Sequence, residues 1–147
     1  MVTVAHVRAK VPAKWTAVYV GRAMPGLEGS PLGNPLPVVG RRWTDEAERW
    51  TRWLAEHEDP RVREAAGRAL TARGYAQGEA ATLYREVLRE QCRRATPQRE
   101  EVLRLARLVQ AGERLALQCW CAPRPCHAAV VRDAVLGYAG RKVRDVG

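Results

Sequence analysis

The chain has 147 residues and a mass of 16.4 kDa, which suffices for one compact core and leaves no room for two of ordinary size. Its 25 Lys and Arg against 16 Asp and Glu give a net charge of +9, so anionic surfaces and acidic proteins are natural partners. A hydrophobic share of 46% beside 28% charged residues excludes a disordered tail and supports a globular fold.

Val2 to Arg8 alternates apolar and polar residues, and Thr16 to Val20 does so again, so both segments read as strands. No apolar run between Met1 and Trp15 resembles the centre of a signal peptide, and a cytoplasmic location is expected. The longest uncharged stretch, Gly29 to Gly40, holds three prolines and three glycines and is far shorter than the roughly 20 apolar residues of a spanning helix, so no membrane partner is expected. That stretch belongs to a long loop opening at Gly21 and Arg22, and loops of such length in compact domains are commonly functional.

Thr44 can cap a helix whose first turn holds Asp45 and Glu46, with Trp43, Ala47, Trp50, Trp53 and Leu54 at helical spacing toward the core. Asp59-Pro60 opens a second helix over about 60–73, ended by Gly74 and Gly78. A third covers about 79–94, with Leu83, Tyr84, Val87 and Leu88 inward and Cys92 on the same side as a small buried hydrophobe. Thr96-Pro97 starts a fourth, which Gly112 ends. The apolar run from Arg114 to Cys121 reads as a buried strand, and a last helix begins at Cys126-His127.

Cysteine placement is the sharpest chemical signal. Cys119, Cys121 and Cys126 fall within eight residues and His127 follows at once, a clustering that points to metal binding or thiol chemistry. In a strand, Cys119 and Cys121 project to one face, and with Cys126 and His127 they could supply the three sulfurs and one imidazole of a tetrahedral zinc site, although the spacing is not that of a zinc knuckle. A second reading is catalytic: Cys126 at a helix N-terminus has its thiolate stabilised by backbone N–H groups, with His127 as its base. A third has the thiols simply packed and the helix start holding a phosphate or carboxylate directly.

These elements make an α/β fold, a small mostly parallel sheet flanked by helices. If the strands at 16–20 and 114–121 are parallel, the glycine loop and the Cys/His loop leave from one edge of the sheet, where open α/β folds place their ligand crevice. Gly21, Arg22, Ser30, Gly33 and Asn34 would then face the Cys/His loop. Arg22 and Arg124 would hold phosphate by their planar forks, and Asn34 would read a polar group.

The strand Val18-Tyr19-Val20-Gly21-Arg22, the loop Gly33-Asn34-Pro35 and the signature Cys119-Trp120-Cys121-Ala122-Pro123 with Pro125-Cys126-His127 together resemble the family catalogued as domain of unknown function 4326, found in bacteria and their phages. The likeness covers about 16–57 and 102–136 of a single domain over 1–147, so the helices within 58–97 stand as an insertion. Pro35-Leu36 replaces the phenylalanine usual after Gly-Asn. The family carries no assigned reaction, so the resemblance marks a site without naming its chemistry. The function expected from the residues is that of a nucleotide- or nucleic-acid-directed protein, a hydrolase or transferase using the Cys/His pocket. The alternative is a non-enzymatic basic protein binding nucleic acid or an acidic host protein such as the transcription machinery, its cluster structural or zinc-binding.

Overall fold

A computed structural model of the chain describes residues 1–122 and 126–140. Three strands, β1 (Val2–His6), β2 (Thr16–Tyr19) and β3 (Leu115–Cys119), form one parallel sheet in the order β1-β3-β2. The register runs from Val2 opposite Leu115 to His6 opposite Cys119 on one side, and from Thr16 opposite Leu115 to Tyr19 opposite Gln118 on the other. Because β1 and β2 flank β3, residues 7–15 carry the chain from the carboxyl end of one edge strand to the amino end of the other. The central strand is buried along nearly its whole length, as parallel sheets require, whereas Thr3 of β1 and Thr16 and Ala17 of β2 remain exposed.

The five helices are α1 (Asp45–Leu54), α2 (Pro60–Ala72), α3 (Gln77–Cys92), α4 (Pro97–Gln110) and α5 (His127–Ala139). Three start where local chemistry demands. The Thr44 side chain accepts from Ala47 N–H, Asp59 from Arg61 N–H ahead of Pro60, and Thr96 from Arg99 N–H ahead of Pro97. Helix α5 packs against α3, α4, β1 and β3, and the core joins Val131 and Val135 with Leu115, Leu117, Val20, Tyr84, Val87, Val102 and Leu105. Several arginines form exposed ion pairs along the helices, such as Arg52 with Glu48, Arg93 with Glu90 and Arg104 with Glu101.

Several local expectations change. Gly74 does not itself take the left-handed turn that ends α2; Arg73 does, with φ 55°. Gly74 is needed for space, since a Cβ there would lie 2.6 Å from the Val39 Cα, where Val39 N–H donates to Tyr75 O and Tyr75 N–H donates to Pro37 O. Gly78 sits in the first turn of α3 and ends nothing. Of the stripe expected at α1, Ala47 and Leu54 are buried, Trp43 and Trp50 are half-buried and pack against the core, and only Trp53 departs, being 40% exposed, while Thr51 is buried in addition. Trp43 donates to Glu48 and lies beneath the Arg73 guanidinium.

Candidate functional site

All three strands point the same way, so their carboxyl ends share one edge of the sheet. Val20 N–H donates to Gln118 O and Val7 N–H to Cys119 O, which extends the ladder to the point where the two loops depart. As expected from the sequence, this edge brings the glycine loop to the cysteines.

The glycine loop is held by its own contacts. A Cβ on Gly21 would lie 2.4 Å from the Tyr19 hydroxyl oxygen, so glycine lets the Tyr19 ring fold back and its hydroxyl donate to Arg22 O at 2.6 Å. Arg22 Nε donates to Asn34 O at 2.6 Å, and Gly33 gives room for the arginine stem, the Arg22 Cγ standing 3.1 Å from where a Cβ would be. Partial burial lowers the Arg22 pKa and nearby Glu46 partly offsets this. Ser30 and Asn34 brace the loop. Ser30 Oγ accepts from Leu32 N–H, Asn34 Oδ1 accepts from Leu36 N–H, and Asn34 Nδ2 donates to Ala80 O at the start of α3.

Across from this loop, Cys119 ends β3 and Cys126 immediately precedes α5, and both side chains are buried. Their thiols are hydrogen-bonded to each other. Cys126 Sγ lies 3.5 Å from His127 Nδ1, and His127 Nε2 is 2.7 Å from Val20 O. A carbonyl only accepts, so Nε2 carries the proton and the Nδ1 lone pair faces the sulfur. Burial lowers the His127 pKa, Val20 O opposes that shift and Arg22 adds to it, so the ring is held neutral. Tyr84 closes the wall: its ring meets His127 edge-on at 5.4 Å and its hydroxyl donates to Leu32 O.

The paired sulfurs ionise unequally. Donation from Cys126 S–H, aided by the Ala122 and Cys121 amides and opposed by burial, pulls Cys119 down to about 6. The same hydrogen bond, with burial, pushes Cys126 far up. The pair therefore shares one proton, with the first negative charge on Cys119 and the proton on Cys126.

Strand β3 stops at Cys119, so Cys121 lies past the last ladder position and does not share a face with Cys119 by strand alternation. The chain is already turning there, and the period of two no longer applies. Among the described residues no group of three or more His, Cys, Asp or Glu is arranged to hold a metal ion. Arg124 lies outside the described residues. Cys92 is half-buried and its thiol is pushed up by desolvation, as a packed cysteine should be.

Residues beyond the sequence reading join this edge. His6 ends β1 opposite Cys119, and its ring meets Trp120 edge-on at 5.8 Å while Arg8 lies 5.1 Å above the indole. Their signal was the end of the first strand, which points to the site only once its pairing with β3 is known. Residues 4–137 match the sequence profile of a domain of unknown function, DUF4326. The chain belongs to the DUF4326 family. The match spans both the glycine loop and the Cys/His segment and runs through helices α1 to α4, of which α3 supplies Tyr84. No curated protein and no solved structure gives a significant match. Among the described residues no helix is long and apolar enough to cross a membrane.

Proposed function

We propose that this DUF4326 protein acts on a nucleotide or a nucleic-acid end as a thiol-dependent hydrolase or transferase. The observation that carries the reading is the chain Cys119, Cys126, His127 at the carboxyl edge of parallel strands, with the Arg22 side chain beside it. The polarity of the sulfur pair moves the nucleophile from Cys126 to Cys119. Cys126 is the proton carrier between that thiolate and the Nδ1 lone pair of His127. In the step, a Cys119 sulfur bond to the electrophilic centre forms as the bond to the leaving group breaks, and the leaving group takes the Cys126 proton. Water or an acceptor hydroxyl then forms the new bond as the bond to the Cys119 sulfur breaks, its proton passing to Cys126, so that Cys119 leaves as the thiolate and the pair is restored. Arg22, and Arg124 by its place in the sequence, would hold phosphate, and the first-turn N–H groups of α5 add to the attraction.

Burial of both sulfurs favours a second reading, in which the thiol pair braces the fold of a non-enzymatic binding protein. Equilibrium binding of a panel of ribo- and deoxynucleotides, with release of product followed by chromatography, separates the two. Under the enzymatic reading Cys119→Ser abolishes turnover, Arg22→Gln weakens binding, and His127→Ala slows turnover while the fold survives. Unchanged binding and turnover in all three variants rules that reading out.

A further inference from the structure

The first carboxylate in the sequence is Glu28. Residues 1–27 thus carry Arg8, Lys10, Lys14 and Arg22 with nothing acidic among them, and they build both edge strands and the segment that joins them. Arg8, Lys10 and Lys14 all fall on that joining segment, residues 7–15, and all three are exposed. Among the described residues none of the three enters an ion pair, in contrast to Arg52, Arg68, Arg85 and Arg104 on the helices.

The fold gives this segment a direction. Helix α5 packs on β1 and β3 and shares a core with Leu115 and Leu117, so the chain crosses from β1 to β2 over the opposite face of the sheet. Its start is tied to the candidate site: Val7 N–H donates to Cys119 O, and the Arg8 guanidinium lies 5.1 Å from the Trp120 ring centre. The indole holds that guanidinium through its face and takes none of its N–H donors. Arg8 N–H donates to His6 Nδ1, so in the neutral ring the proton sits on Nε2, a further donor at the same edge. The segment ends at Trp15, beside the amino end of β2, where the Thr16 hydroxyl donates to Glu113. Between those ends lies the five-residue strand β3, roughly 16 Å at about 3.3 Å per residue.

We propose that residues 7–15 form a track for single-stranded nucleic acid, which runs along Lys14, Lys10 and Arg8 and brings its end to the carboxyl edge at His6 and Cys119. The thiol chemistry proposed for that edge is needed only for what the end meets there; the binding stands on the cations. Exposed cations with no carboxylate partner suit a phosphate backbone, whose binding is driven by release of its counterions. The strand is single because Cys119 and Cys126 are 1% and 6% exposed, so only an unstacked terminal nucleotide is narrow enough to approach them. An acidic peptide fits less well, since peptides gain from apolar burial and the exposed Ala9, Pro12 and Ala13 offer little area.

The test uses the whole chain and a fluorescent oligothymidylate of about ten nucleotides, with binding read by anisotropy over a series of salt concentrations. Three phosphate contacts predict that log affinity falls against log salt with a slope of about 2. Lys10→Glu with Lys14→Glu should weaken binding by about tenfold or more and cut that slope to about 1 or less, with Tm unchanged because both side chains are exposed. Arg52→Glu with Arg61→Glu makes the same change in net charge at exposed positions on α1 and α2. At physiological salt, where charges beyond about 8 Å are screened, it should bind within about twofold of wild type. Equal loss in the two double variants, preference for a duplex of the same length, or displacement by polyglutamate at equal charge each overturns the proposal. Binding is read without turnover, which keeps the two readings apart. A strand bound in this pattern and left intact sustains the track and counts against the thiol chemistry, whereas turnover of free nucleotides without salt-sensitive strand binding sustains the chemistry and overturns the track.

Discussion

Replacing Cys126 with alanine removes the S–H group that holds the Cys119 thiolate, and the consequence can be followed in both ionisation and stability. In the intact pair Cys119 is drawn from an ordinary value near 9 down to about 6. At ~1.4 kcal/mol per pKa unit this is a preference for thiolate on the order of 4 kcal/mol. The Cys126 hydrogen bond is its largest cause, and the Ala122 and Cys121 amides keep a smaller part. At pH 7 the Cys119 site should therefore be mostly thiolate in the intact pair and mostly protonated in Cys126→Ala. Thiolate absorbance at ultraviolet wavelengths, recorded against pH in a background lacking Cys92 and Cys121, reads the difference without requiring a reagent to enter the buried site.

Stability moves with the same proton. Between about pH 6 and 9 the unfolded chain keeps a proton that native Cys119 has lost, so stability should rise with pH through that window and fall away as pH drops through 6. Above about 9 the native Cys126 thiol, pushed up by its partner, stays protonated while its unfolded counterpart ionises, and stability should decline again. Urea midpoints measured from pH 5 to 10 should trace this rise and decline in the wild type and lose the rise in Cys126→Ala. A midpoint for Cys119 near 9 in the wild type, or an equal midpoint in both proteins, would refute the reasoning.

The other expectations concern the frame around the site. Thr51 and Tyr75 share a buried 2.7 Å hydrogen bond, so Tyr75→Phe or Thr51→Val alone should cost about 1–3 kcal/mol by stranding the other hydroxyl. The double variant should cost less than the sum of the two, as a urea-denaturation cycle would show. Gly21→Ala drives a methyl into the Tyr19 ring and should destabilise by roughly 1–3 kcal/mol. Most of that loss should disappear in a Tyr19→Ala background, and additivity would count against the contact. Gly74→Ala meets the Val39 backbone, which cannot swing aside; its Tm should fall, at roughly 3 °C for each kcal/mol lost, and an unchanged Tm would show that the close approach is not needed.

Helix starts were readable because their causes are local. Thr44, Asp59-Pro60 and Thr96-Pro97 each satisfy an N–H group within three residues, and the structure begins helices beside all three. Gly112, with φ 92°, ends α4 as its position implied. Local rules faltered where contact from elsewhere decided the outcome. Gly74 owes its small size to Val39, thirty-five positions away, and on α1 Trp53 stays exposed while Thr51 is buried, hydrogen-bonded to Tyr75 from the turn before α3.

For the site, the sequence by itself singled out the candidate residues: three cysteines, a histidine and a glycine-lined loop at the ends of strands, all within the segment that matches the DUF4326 family. Parallel pairing, inferred for two strands, brought the expected loops together. Only the tertiary structure decided that β1 joins them on the far side of β3, which brings His6 and Arg8 against Trp120 at the edge. It also decided that Cys119 pairs with Cys126 while Cys121 falls outside the strand, and that His127 reaches Val20 across 107 positions. The physical reason is range. Capping and strand periodicity act over a few residues and are written in neighbouring letters, whereas a shared proton and a histidine's tautomer depend on which distant atom ends up within hydrogen-bond distance.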